Sequence, residues 1–249
     1  MNDEKITILG GPSGQPILVT TPNHLRKDIE SAVKKGVSFR YARLQGLDLS
    51  KLYLVGADFY RANLDGCNLK DSDLAGANLE AASLIRTNLD RANLANACLY
   101  DSDLSFVSAK NASFFDSDLE LCTFSDGDLS GSTFEKSRAI SADFARSNLA
   151  DANFCRAICC RANFESADLT GAYIGGIDAA QCNFSGAELE GAYAPGGDFY
   201  ECNFEYAGLT NATFIRADLR GSNLRKSDTA NADFTDALID GEALKKSST

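Results

Sequence analysis

Large apolar residues recur at every fifth position from Phe39 to Leu244. Stepping by five through that interval visits 42 positions, and 36 of them hold Leu, Phe or Ile. The exceptions are Ala109, Ala139, Cys159, Ala179, Ala194 and Thr229. A helix repeats near 3.6 residues and a strand at two, so neither accounts for a period of five. The phase never slips, which excludes a looped insertion within the array. Two residues before each centre the chain is small. From Ala57 to Ala237 this holds at 35 of 37 positions, with Val107 and Ile177 as the exceptions. The residue just before the centre is usually Asp or Asn, where a short polar side chain bonding nearby backbone is the expected role.

A square coil of about 20 residues, one five-residue unit to each side, satisfies this pattern. The large centre and the small residue two before it point inward, and the remaining positions face water. Successive coils stack like strands of a parallel sheet, about 4.8 Å apart, and each buries its core only against its neighbours. The units ADFYR (57–61), ANLDG (62–66), SDLAG (72–76), ANLEA (77–81) and ADLRG (217–221) resemble the A(D/N)LXX motif of the pentapeptide repeat family. The resemblance covers roughly residues 37 to 244. It implies an all-β fold, a right-handed quadrilateral parallel β-helix, and brings no catalytic residues with it.

Stepping by twenty separates the four faces. One column contains Phe124, Phe144, Phe164, Phe184 and Phe204, which predicts an aromatic ladder inside the rod. Another passes through Ala139, Cys159 and Ala179, three small centres in consecutive coils, with Ile140, Ile158 and Ile177 beside them. Either the core is repacked around these isoleucines, or an apolar stripe is exposed for a partner. The outward residues of that face, Tyr100, Leu121, Ile140, Cys160 and Tyr200, form the candidate partner surface. Phe106 and Phe115 are also predicted outward.

The array is predicted to span residues 37–244, in about ten coils, with a cap over 1–36 and a polar tail over 245–249. ITILGGPSGQPILVTT (6–21) reads as two short strands around a Gly/Pro turn. TPNHLRKDIESAVKKG (21–36) reads as a helix with Thr21 as N-cap and Gly36 as stop. Such a lid answers the exposed-edge problem of a solenoid. GGPSG (10–14) lacks the Gly-Lys-Ser/Thr of a phosphate loop. Topoisomerase-directed members of the family dimerise through an apolar C-terminal helical segment. The tail here is short and weakly apolar, so a monomer or weak dimer is expected.

Composition narrows the function. The formal net charge is −11, which argues against direct nucleic-acid or anionic-membrane binding. No apolar run approaches a membrane span, and the N-terminus lacks a secretory signal, so a cytoplasmic location is expected. Eight cysteines without a C-x-x-C pair and a single histidine, His24, argue against a metal site. No cofactor and no catalytic constellation is expected. Cys67, Cys122, Cys182 and Cys202 take the small inward position, with Cys182 and Cys202 one coil apart; that spacing permits a disulfide, but buried reduced thiols are expected. Cys155 and Cys160 are expected outward and reactive.

No Lys or Arg occurs from Ala162 to Ile215, against eight acids. These observations support two functions. The first is a non-enzymatic interaction scaffold whose partner is a protein of unknown identity. The second is an acidic rod that imitates duplex DNA and acts on DNA gyrase or another topoisomerase, as resembling family members do. Glu165, Glu190, Glu201 and Glu205 would be its acids, although they fall on three different faces.

Overall fold

A computed structural model describes residues 5–240. Leu244, Gly241 and the tail predicted over 245–249 lie outside the described residues. The array is a right-handed quadrilateral parallel β-helix. Every centre from Phe39 to Leu224 is buried, and so is every residue two before it from Leu52 to Ser227. Residues 20 apart pair as parallel bridges, from Arg43–Asn63 through Asp218–Leu238. A unit makes three intercoil bonds and one turn bond. Around Leu64, Asn63 N donates to Ala42 O at 2.8 Å, Leu64 N to Ser83 O at 2.7 Å and Gly66 N to Ile85 O at 2.9 Å; Cys67 N closes the corner on Leu64 O at 3.0 Å. The Asp or Asn before the centre accepts the N–H two residues on, as Asn63 does from Asp65 at 2.9 Å. On one face these side chains also form a continuous chain of amides: Asn183 donates to Asn163, Asn203 to Asn183 and Asn223 to Asn203, at 3.1, 3.3 and 3.0 Å.

Each corner turns through a residue with positive φ, two after the centre. Twenty-nine of these forty residues, from Tyr41 to Asp236, are not glycine. Their φ lies between 53° and 64°, the left-handed region that only glycine enters freely. Such a residue costs roughly 1–2 kcal/mol, and the intercoil bonds offset it. Period-of-five reading locates the corner but not this conformation, because Arg, Asp, Asn, Leu and Phe all occupy it.

The predicted aromatic ladder is present. Phe124, Phe144, Phe164, Phe184 and Phe204 stack with centroids 4.8–5.0 Å apart and planes within 4°. A second ladder, Phe114, Phe134 and Phe154, runs up the opposite wall at 4.9 and 4.4 Å. The two meet edge to face, as Phe144 and Phe154 do at 5.5 Å and 86°, a favoured arrangement of ring quadrupoles. Two facing walls of phenylalanine leave less room for the walls between them. The small centres Ala139 and Cys159 stand between the two ladders, in the same coils as Phe134 and Phe154. Where Ala194 interrupts the second ladder, Phe199 comes in from the adjacent wall and packs on Phe184, Phe204 and Phe214.

At the N-terminal end, β1 (Ile6–Gly10) and β2 (Gln15–Thr20) pair antiparallel, and α1 (Leu25–Lys34) follows. The helix starts later than the sequence suggests. Thr21 O accepts the N–H groups of His24 and Leu25 at 3.0 and 2.9 Å, so a turn occupies 22–24 and His24 is the N-cap. Its ring nitrogen Nδ1 lies 2.9 Å from Thr21 Oγ1. Gly36, at φ 71°, ends the helix as expected, with Gly36 N on Val33 O and Val37 N on Ala32 O. Leu25, Ile29 and Ala32 are buried in one cluster with Phe39 and Leu44. The first coil's edge finds partners in these elements. Arg43 N donates to Leu9 O at 2.9 Å, Gly11 N to Arg40 O at 3.0 Å, and Tyr53 N to Glu30 Oε1 at 2.9 Å. The Glu30 carboxylate stands where a preceding coil would present a carbonyl.

Candidate partner surfaces

The face centred on Phe59, Leu79, Leu99 and Leu119 carries the predicted partner residues. Leu121 and Tyr200 are exposed, whereas Tyr100, Ile140 and Cys160 are half-buried. The three isoleucines divide between the two expectations. Ile177 is buried in the core and Ile140 half-buried, while Ile158 is 41% exposed. Ile158 sits just before its centre, in the slot usual for Asp or Asn, and so projects outward. Leu121, Ile140 and Ile158 therefore make an apolar strip along three consecutive coils. Arg138 borders it, held by Asp118 at 3.4 Å and by Glu120.

The four candidate DNA-mimic acids remain apart. Glu165 and Glu205 share one face two coils apart, Glu190 occupies the next, and Glu201 the corner beyond Tyr200. Glu165, Glu190 and Glu201 are exposed. Glu205 is not free, because Arg225 pairs with it at 3.2 Å. The Glu201 carboxyl is held below its usual range by hydrogen bonds from Gln181, at 2.9 Å, and from the Tyr200 hydroxyl.

Cations one coil away pair with several of the acids. Arg91 pairs with Asp71, Arg146 with Asp126 and Arg138 with Asp118, each over a separation of twenty. They cover rings in the same way. Arg40 lies over Tyr60 at 4.1 Å, Arg86 over Phe106 at 4.8 Å, Lys136 over Phe115 at 5.1 Å and Lys226 over Tyr206 at 4.8 Å. Phe106 is exposed as predicted, whereas Phe115 is half-buried. Between Ala162 and Ile215 no base exists to do this. Among the described residues one ion pair reaches that stretch, Arg225–Glu205. Among the described residues no cation lies over the rings of Tyr173 and Tyr193, exposed at 53% and 49%; Tyr200, at 40%, has Arg220 nearby in the next coil, where that arginine pairs with Asp218. Tyr173 and Tyr193 lie twenty apart in the position before the centre, a column the periodicity of the centres does not display. A shallow open cleft lies beside them, where the corner loses its side chains at Gly175 and Gly176, between Arg156 and Pro195.

Among the thiols, Cys160 departs from the sequence expectation. Cys182 Sγ donates to Cys159 O and Cys202 Sγ to Ala179 O, each at 2.9 Å, and both thiols are free. Burial pushes Cys182 well above the usual thiol range, with Cys202 adding to the effect. Cys160 does not qualify as reactive. Burial, together with the Asp178 carboxylate to which its Sγ donates at 3.0 Å, pushes it up to about 11. From a reference of 9.0 that leaves roughly a hundredfold less thiolate. In brief iodoacetamide treatment at pH 8, Cys155 is expected to be carbamidomethylated well before Cys160, as read by peptide mass spectrometry. Equal rates would contradict the Asp178 contact. Among the described residues no group of three or more His, Cys, Asp or Glu is placed to hold a metal, and no helix is long and apolar enough to cross a membrane.

The sequence matches the family model described as pentapeptide repeats over residues 35–71, 117–154, 147–186, 182–221 and 214–241. The model of a pentapeptide repeat region matches residues 57–134. No curated protein gives a significant sequence match. Among solved structures, the chain is similar to HetL, a pentapeptide repeat protein involved in heterocyst differentiation regulation from the cyanobacterium Nostoc sp. The identity is 23% and the TM-score 0.66, over 85% of this chain and 93% of that one. It is also similar to full-length QnrB1, a plasmid-mediated fluoroquinolone resistance protein, at 16% identity and TM-score 0.50, over 83% and 95% of the two chains. At these identities the likeness concerns the fold.

Proposed function

The chain belongs to the pentapeptide repeat family, and from that premise we propose that it is a non-enzymatic scaffold, a rigid rod that presents a flat face to another protein. The observation that carries this reading is the strip of Leu121, Ile140 and Ile158 on an otherwise polar wall. The intercoil ladder fixes the backbone beneath it, so the strip reaches a partner preformed. Tyr100, Cys160 and Tyr200 flank it on the same face. Catalysis finds no support: the one histidine touches Thr21 at the helix start, and the Asp and Asn rows bond to backbone.

The narrower reading, a DNA mimic acting on gyrase or another topoisomerase, has less behind it. Its acids occupy three faces, and Arg225 neutralises Glu205. A photo-reactive amino acid placed at Leu121 or Ile158 in the native cell is expected to yield a discrete protein adduct. The same group at Thr170, which is exposed on another face, should not. If neither apolar position gives an adduct that Thr170 lacks, the scaffold reading fails at this face. If the adduct is a topoisomerase subunit and the purified rod alters DNA supercoiling, the narrower reading replaces it.

A further inference from the structure

Resting on the scaffold reading, we propose that the surface from Tyr173 to Glu201 docks an arginine-rich segment of a partner protein. The rod supplies the reasoning through its own habits. Elsewhere several exposed rings and carboxylates receive a Lys or Arg from an adjacent coil: Arg86 for Phe106, Lys226 for Tyr206, Arg91 for Asp71, Arg146 for Asp126. Here the stretch from Ala162 to Ile215 keeps rings and carboxylates and supplies no Lys or Arg, leaving Arg156 at the lower edge and Arg220, paired with Asp218, at the upper one. The partner's guanidinium groups supply the missing cations.

The layout suits that chemistry. Tyr173 and Tyr193 stand one above the other in adjacent coils, paired across a parallel bridge. Beyond them the corner is bare at Gly175–Gly176 and carries only Pro195–Gly196 above. A chain crossing there passes over Gly175, Gly176 and Pro195, with Arg156 and Glu135 at the edge of the cleft. On the far side Asp178 and Asp198 form the next bridge pair, Asp198 being exposed. Asp198 Oδ1 accepts the Tyr200 N–H at 2.9 Å, which fixes the carboxylate. Tyr200 and Glu201 complete the surface. A planar guanidinium stacks on a tyrosine face while its edge donates to a carboxylate, which an ammonium cannot do equally well. Arginine is thus favoured over lysine. Pairing of this stretch with the same stretch of a second copy is disfavoured, because both are acidic.

The test uses the full chain and a short fluorescein-labelled Arg-Ser repeat peptide, with its Lys-Ser counterpart, followed by anisotropy at moderate salt. Saturable binding with tighter uptake of the arginine peptide is expected. Asp198→Asn with Glu201→Gln should weaken it by about tenfold. Glu188→Gln with Glu190→Gln removes the same charge from another face and should change it by less than about threefold. Tyr173→Ser with Tyr193→Ser should abolish the preference for arginine at unchanged net charge. Equal losses from the two carboxylate pairs would mean diffuse charge attraction and overturn the site. Absence of saturable binding would overturn it as well. The scaffold reading is judged separately, by cross-linking at Leu121 and Ile158.

Discussion

Replacing Phe164 by alanine is expected to cost about 3–5 kcal/mol in urea denaturation. Its ring is stacked between Phe144 at 5.0 Å and Phe184 at 4.8 Å, and Phe154 meets it edge to face at 5.7 Å. Removing it deletes three ring contacts and opens a cavity in a wall that cannot collapse. The coil spacing is set by backbone ladders above and below, Phe164 N to Asn183 O at 2.7 Å and Phe144 N to Asn163 O at 2.7 Å. Relaxation along the axis would break those bonds. Thr170, one unit further on, is exposed, and Thr170→Ala should stay within about 0.5 kcal/mol. Equal losses at both positions would show that the assignment of inside and outside is wrong.

The second large effect concerns the N-terminal elements, which we propose act as a lid. Deleting residues 1–36 removes Leu9 O from Arg43 N and Glu30 from Tyr53 N, and takes away Leu25, Ile29 and Ala32 from the side of Phe39 and Leu44. A parallel edge with unpaired donors and an apolar floor then faces water, which favours strand addition from another molecule. The truncated rod is expected to form concentration-dependent oligomers by light scattering, while the full chain does not gain mass under the same conditions. A truncated chain that stays monomeric and melts at the same temperature as the intact one would remove the lid reading.

Much of the architecture was legible because one signal was repeated without interruption. An unbroken phase from Phe39 to Leu244 left one way to coil the chain, and stepping by twenty then predicted the stack of Phe124 to Phe204. The second ladder was missed for a reason of scale. Phe134 and Phe144 are ten residues apart on opposite walls, and only the width of the coil tells whether they touch; they do, at 5.5 Å. The isoleucines failed to separate by sequence because Ile158 and Ile177 differ by a single register position, one just before its centre and the other two before. Helix propensity carried the start of α1 too early, at Thr21, because Pro22 is as compatible with a turn as with a first helical position. At the candidate surfaces the individual acids were visible, but the pairing rule between coils was not. It emerges once Arg86 is seen over Phe106 and Arg225 beside Glu205.

The square coil also makes insertion and deletion act in discrete steps. Adding one five-residue unit ahead of Tyr173 would swing everything after it by about a quarter turn, so the tyrosines would address a different compass point from Leu121. Adding four units would restore the heading and translate the tyrosines by about 4.8 Å along the axis. Bearing and distance between two docking points can thus be reset independently, by the number of units and by the number of whole coils, without altering any residue that touches a partner.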